Sequence, residues 1–221
     1  MSLLKKIKKT MGELPEKPVF SFVGAGGKTT CVLKLADELA GLGMKVLVTT
    51  STHIQHPFYL GRTGLLDADT KTIKEAGVPG KVVIAGRKLE QEKKIAGLLE
   101  TQLEEVLESY DAVVIEADGA KHYALKYPSE QEPVIPEGTT DVILVLGSWD
   151  LGKPCKDVVF RFEHMTSALG ISGDMKADKQ MLQWIWQAYE EKLKNMDYQG
   201  HFHVLLSEKT DQGLMFHTLE E

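Results

Sequence analysis

The stretch from residue 19 to residue 42 constrains this chain most. Val19, Phe20, Phe22 and Val23 make a short apolar run suited to a buried strand. Gly24, Gly26 and Gly27 then put three glycines within four positions, and Lys28-Thr29-Thr30 follow. Beyond them Leu33, Ala36, Leu39 and Ala40 recur at helical spacing, until Gly41 and Gly43 close the pattern. A strand, a glycine loop, Lys-Thr and a helix form, in that order, the layout of a phosphate-binding loop. Glycines let backbone N–H groups approach a phosphate without Cβ clashes, and a helix start adds unpaired N–H groups and a positive dipole end. This layout assigns Gly24, Ala25, Gly26, Gly27, Lys28, Thr29 and Thr30 to ATP or GTP, with Lys28 on the β- and γ-phosphates and the Thr29 hydroxyl on Mg²⁺. The general pattern G-x-x-x-x-G-K-[ST] is shortened, since Phe22 stands where its first glycine belongs.

With 221 residues, 43% of them apolar, the chain can bury a sizeable core as one domain spanning 1–221. A net charge of −6 without a long basic run argues against nucleic acid as a partner. Cys31 and Cys155 suggest neither a disulfide framework nor a metal cluster, and fit a reducing compartment. No run approaches the ~18 apolar residues of a membrane span, and residues 1–18 lack the apolar segment of a signal peptide. A cytoplasmic protein is expected. Leu3, Leu4, Ile7 and Met11 at helical spacing predict a short basic N-terminal helix packed on the domain, ended by Pro15 and Pro18.

Further apolar runs predict strands at 45–50, 81–85, 111–116, 141–146 and 202–206. Periodic apolar positions predict helices at 92–108 and 177–193, while 60–80 reads as a loop or insertion. The expected fold is α/β, a P-loop NTPase-like, mainly parallel sheet with helices on both faces. Ligands of such sheets gather at the C-terminal strand edges. Thr50 lies at one such edge and is a candidate Mg²⁺ ligand. Glu116 and Asp118 end the apolar run 112–115 and are candidate catalytic and Mg²⁺-linked acids, on one side of the chain if it stays extended. Residues 121–136 read as an ordered loop near the site. Arg161 could reach a phosphate or simply form a surface ion pair. Lys209 and Asp211 only faintly echo a guanine-reading N-K-x-D motif, with Glu208 in place of Asn. Trp184 and Trp186 read as packing residues. His53 and His56 lack a third ligand. Lys28→Ala is expected to remove most of the nucleotide-induced melting shift and to leave the ligand-free melting temperature nearly unchanged.

The shortened glycine pattern resembles the loop of Mur ligases, and Val23 stands where MinD-like ATPases carry a signature lysine. The segments 22–30, 48–54, 114–121, 132–136 and 151–154 together resemble the YqeC family of selenium-dependent hydroxylase accessory proteins. Its most specific marks are Glu116-Ala-Asp118-Gly-Ala-Lys121 and Glu132-Pro-Val-Ile-Pro136. The resemblance implies a role in maturing a molybdenum hydroxylase, with that enzyme or a cofactor-maturation protein as partner. Three functions are open: a Mg²⁺-dependent NTPase with slow, partner-responsive hydrolysis, a small-molecule kinase or nucleotidyltransferase using Asp118, Lys126 and Arg161 toward an acceptor, and a non-catalytic nucleotide sensor.

Overall fold

A computed structural model describes residues 2–90 and 93–218. Its helices are α1 (Leu3–Met11), α2 (Lys28–Ala40), α3 (Thr70–Ala76), α4 (Glu100–Leu107), α5 (Cys155–Val158), α6 (Phe162–Leu169) and α7 (Lys179–Asn195). Its strands are β1 (Val19–Gly24), β2 (Val46–Thr50), β3 (His53–Gln55), β4 (Leu65–Leu66), β5 (Val82–Lys88), β6 (Lys94–Ala96), β7 (Ala112–Glu116), β8 (Leu125–Lys126), β9 (Asp141–Gly147), β10 (Val159–Phe160), β11 (His201–Thr210) and β12 (Gly213–Thr218).

The main sheet runs β12-β11-β9-β1-β7-β2-β5-β6-β3, with β4 beside β5. From β11 to β5 every pairing is parallel, while β12, β6 and β3 pair antiparallel at the margins. Strands β1, β2, β7 and β9 are buried along their whole length, which is why they read as continuous apolar runs. Their side chains still alternate between faces. Val19, Val23, Leu47, Val113, Ile115, Val142 and Leu144 join the core under α4 and α7. Phe20, Phe22, Val46, Val48, Val114 and Ile143 join the core under α1 and α2. Helices therefore cover both faces.

The expected N-terminal helix is present. Leu3, Leu4 and Ile7 are buried, and the Glu38 carboxylate on α2 accepts the N–H groups of Leu3 and Leu4 at 2.9 and 2.7 Å. Among the described residues no helix is long and apolar enough to cross a membrane. Trp184 and Trp186 pack, partly buried, against the core.

The stretch 92–108 differs from expectation. Glu92 lies outside the described residues, and α4 starts only at Glu100. Lys94–Ala96 instead forms β6, with Ile95 buried between β5 and β3. Gly97 explains the break: a Cβ there would lie 1.7 Å from the Thr50 carbonyl oxygen, so only glycine lets the chain pass the end of β2. The 60–80 stretch is also more ordered than expected. It contains β4 and α3, whose cap is the Asp69 carboxylate accepting the Thr72 N–H at 2.7 Å. Ile73 of α3 is buried, and the Tyr110 hydroxyl donates to its carbonyl at 2.6 Å. Finally, the last expected strand reaches Thr210 and turns through Gly213 into β12.

Candidate functional site

The glycine loop leaves β1 between β9 and β7, at the C-terminal edge of the parallel strands. Gly24, Gly26 and Gly27 have φ of 89°, 81° and 104°, conformations that favour glycine. The loop is packed from three sides. A Cβ on Gly24 would meet the Val145 carbonyl at 2.5 Å, one on Gly26 the Gly147 nitrogen at 2.4 Å, and one on Gly27 the Leu214 side chain at 2.4 Å. Leu214 belongs to the β11–β12 hairpin, which also donates the Ser207 hydroxyl to the Gly26 carbonyl. The Ala25 and Gly26 N–H groups donate to the Val145 and Tyr123 carbonyls at 2.9 and 3.1 Å. The first bond of α2 runs from the Cys31 N–H to the Gly27 carbonyl at 3.0 Å, so the N–H groups of Lys28, Thr29 and Thr30 have no acceptor within the helix. These three residues lie at a cleft of about 1100 Å³. Gly26, Gly27, Lys28, Thr29, Thr30 and Glu116 line it, whereas Gly24 and Ala25 are buried and do not line it.

The two acids part company. Register places Glu116 opposite both Phe22 and Thr50, and its carboxylate accepts the Thr29 hydroxyl at 2.7 Å at the cleft wall. Burial raises the Glu116 pKa, and neighbouring Lys28 and the Thr29 hydroxyl offset only part of that. Asp118, two residues on, turns inward and is fully buried. Its carboxylate pairs with Lys28 at 3.0 Å and Lys126 at 3.1 Å. It also accepts the Gly24 N–H at 3.0 Å and the Tyr189 hydroxyl at 2.8 Å. Burial alone would raise the Asp118 pKa, but the two ammonium groups and the Gly24 N–H overcome it and hold the pKa below its ordinary value. Burial, then Asp118, push the Tyr189 phenol well up, so it remains a donor.

The ion pairs continue outward. Lys126 also pairs with Glu132 at 2.9 Å, and Glu132 pairs with Arg161 at 2.9 Å. Lys28, Asp118, Lys126, Glu132 and Arg161 thus form one alternating chain of charges. It joins the glycine loop, the end of β7, the 121–136 loop and the start of α6. Lys28 itself is buried and donates to the Gly24 carbonyl at 2.5 Å. Thr50 is held by backbone: its hydroxyl donates to the Glu116 carbonyl at 2.6 Å and accepts the Thr52 N–H at 3.0 Å.

Two groups that sequence reasoning passed over also line the cleft. Trp149 lies with Lys209 over its ring at 4.5 Å from the centroid, and Leu214 stands beside the loop. Trp149 sits in a glycine-rich turn and gave no periodic signal. Leu214 lies in the β11–β12 hairpin, for which the apolar pattern after residue 206 carries no signal.

No solved structure matches this chain. The uncharacterized protein YqeC of Escherichia coli (strain K12) is 30% identical over 168 residues. That similarity covers 74% of this chain and 65% of the relative, so the chain spans about 65% of that protein's length. The family described as YqeC protein matches residues 20–163, which run from the start of the glycine loop's strand through Glu132 and Arg161. The chain belongs to the YqeC protein family.

Proposed function

We propose that the cleft binds a Mg-nucleoside triphosphate, ATP or GTP, in a P-loop NTPase-like manner and hydrolyses it slowly. The observation that carries this reading is the Thr29–Glu116 contact of 2.7 Å, set beside a glycine loop at the open start of α2. The N–H groups of Lys28, Thr29 and Thr30 and the positive end of the α2 dipole would receive phosphate oxygens. Lys28 would neutralise them, and Asp118 acts as the positioning residue that keeps its ammonium at the loop.

The donor set fits Mg²⁺. Thr29 and Glu116 offer hard oxygen ligands, and the raised Glu116 pKa marks a carboxylate whose charge the protein alone does not fully compensate. When bound, the ion supplies charge neutralisation at the phosphate oxygens. In hydrolysis a water oxygen bonds to the γ-phosphorus, the bond to the β–γ bridging oxygen breaks, and the nucleoside diphosphate, inorganic phosphate and a proton are released. Glu116 would orient that water. A transferase would need free groups for an acceptor, and Asp118, Lys126 and Arg161 are instead engaged in the ionic chain. The YqeC resemblance supports a role as an accessory factor in maturation of a selenium-dependent molybdenum hydroxylase.

Single-turnover hydrolysis of Mg-ATP and Mg-GTP, with and without a candidate hydroxylase client, tests the reading. Slow turnover that rises with the client supports it. Fast turnover near 1–100 s⁻¹, typical of kinases, without any addition would oppose the accessory role. Tight binding with no turnover under any condition would leave a nucleotide sensor.

A further inference from the structure

At the opposite edge of the sheet, where β9 and β11 begin, Asp141, His201 and His203 converge. Asp141 and His203 are buried, while His201 is open to solvent on one side. Asp141 Oδ1 lies 3.1 Å from His203 Nε2 and 3.2 Å from His201 Nδ1. Two threonine hydroxyls hold this cluster from outside. The Thr10 hydroxyl donates its one proton to the Ile7 carbonyl at 2.8 Å. The same hydroxyl lies 3.1 Å from His203 Nδ1, a contact in which the tautomer of the ring decides which atom donates. In the tautomer that donates from Nδ1 to Thr10, the ring turns the bare lone pair of Nε2 toward Asp141. On the far oxygen, Asp141 Oδ2 accepts the Thr140 hydroxyl at 2.6 Å. A lone pair facing a carboxylate is repulsive unless a cation lies between them.

We propose that Asp141, His201 and His203 bind one divalent transition-metal ion of the zinc type. Two imidazole nitrogens and a carboxylate oxygen form a borderline donor set suited to Zn²⁺ and poorly suited to Mg²⁺ or Ca²⁺. Tetrahedral zinc with bonds of about 2.0–2.1 Å sets neighbouring donor atoms about 3.3 Å apart. The two distances to Asp141 Oδ1 are close to that edge, and all three donor atoms lie within 4.8 Å of one another. Thr10 and Thr140 orient His203 and Asp141 from behind, as outer-shell partners of metal ligands do. The exposed side of His201 leaves room for water as a fourth ligand. Such an ion would tie the end of α1 to the starts of β9 and β11, far along the strands from the glycine loop.

The test is competition for Zn²⁺ between the chelator-stripped full chain and a chromophoric zinc chelator, with excess Mg²⁺ present. One Zn²⁺ per chain is expected, with affinity falling at least tenfold in His201→Ala and in His203→Gln. Thr10→Val should weaken binding roughly 10–100-fold, as loss of an outer-shell partner does. Glu116→Gln should bind Zn²⁺ like the wild type, which separates this site from the cleft. His201→Ala alters an exposed ring and should keep the wild-type circular dichroism, so its result stands apart from misfolding. Undiminished Zn²⁺ binding in both histidine variants would overturn the proposal. So would absence of Zn²⁺ uptake with His203 Nε2 carrying a proton by imidazole nitrogen NMR, which would assign the position to a proton alone.

Discussion

Asp118→Asn probes the buried ionic chain most cleanly. Asparagine keeps the shape of the side chain, and its oxygen can still accept the Gly24 N–H and the Tyr189 hydroxyl, which both go to Oδ2. Its amide then faces the Lys28 ammonium, donor against donor, where Oδ1 now sits 3.0 Å away. Breaking a buried pair by removing one charge typically costs about 3–5 kcal/mol. Lys126 keeps Glu132 at 2.9 Å and the Gly119 carbonyl at 2.7 Å, and Lys28 keeps the Gly24 carbonyl. The lower end, about 3 kcal/mol, is therefore expected. At roughly 2–4 °C per kcal/mol for a chain of this size, the melting temperature should fall by about 6–12 °C. The pH dependence has a definite sign. The folded Asp118 pKa lies below its ordinary value of about 3.9, so its stabilisation is complete above that value and is lost as pH falls through the folded pKa. The gap between wild type and Asp118→Asn should be full at pH 6–8 and should narrow below about pH 4. Urea or thermal unfolding across that range checks it. A variant that melts within 1 °C of the wild type at pH 7 would show that the Lys28–Asp118 pair contributes no stability.

Three further variants follow from the same geometry. Glu116→Gln should melt above the wild type at neutral pH, because the raised folded pKa means charged Glu116 costs stability as pH rises past about 4.3; the advantage should vanish below pH 4, and Mg²⁺-dependent nucleotide affinity should fall. Lys28→Ala should abolish the nucleotide-induced melting shift and also cost about 1–3 kcal/mol without ligand, since it strips a buried carboxylate of one of four partners. Trp149→Ala should weaken nucleotide binding by about 1–2 kcal/mol, as loss of a base-stacking surface does, and should leave inorganic tripolyphosphate binding unchanged by calorimetry.

The central strands were legible because parallel strands buried on both faces must be continuous apolar runs, as in β1, β7 and β9. The glycine loop was legible because its positive-φ positions require glycine. The β6 segment misled because Ile95, Leu98 and Leu103 share a helical spacing by coincidence, and the close approach of Gly97 to Thr50 is a tertiary fact. The α3 helix carried a signal in Asp69, whose capping position was not used. The split between Glu116 and Asp118 could not be read, because it depends on the chain turning inward after β7 toward Lys126, a partner in a loop of no regular pattern. For the same reason the pairing of Lys28 with buried Asp118 has no mark in the sequence. The partnership of Glu132 with Lys126 and Arg161 spans loops far apart in sequence, and no periodicity encodes it.

Calorimetric titration of the wild-type chain and Lys28→Ala with Mg-ATP and Mg-GTP, repeated without Mg²⁺, tests the central claim most directly. One nucleotide is expected to bind per chain, with affinity that requires Mg²⁺ and disappears in Lys28→Ala. Absence of binding of either nucleotide to the wild type at millimolar concentration, or equal binding by Lys28→Ala, would contradict it.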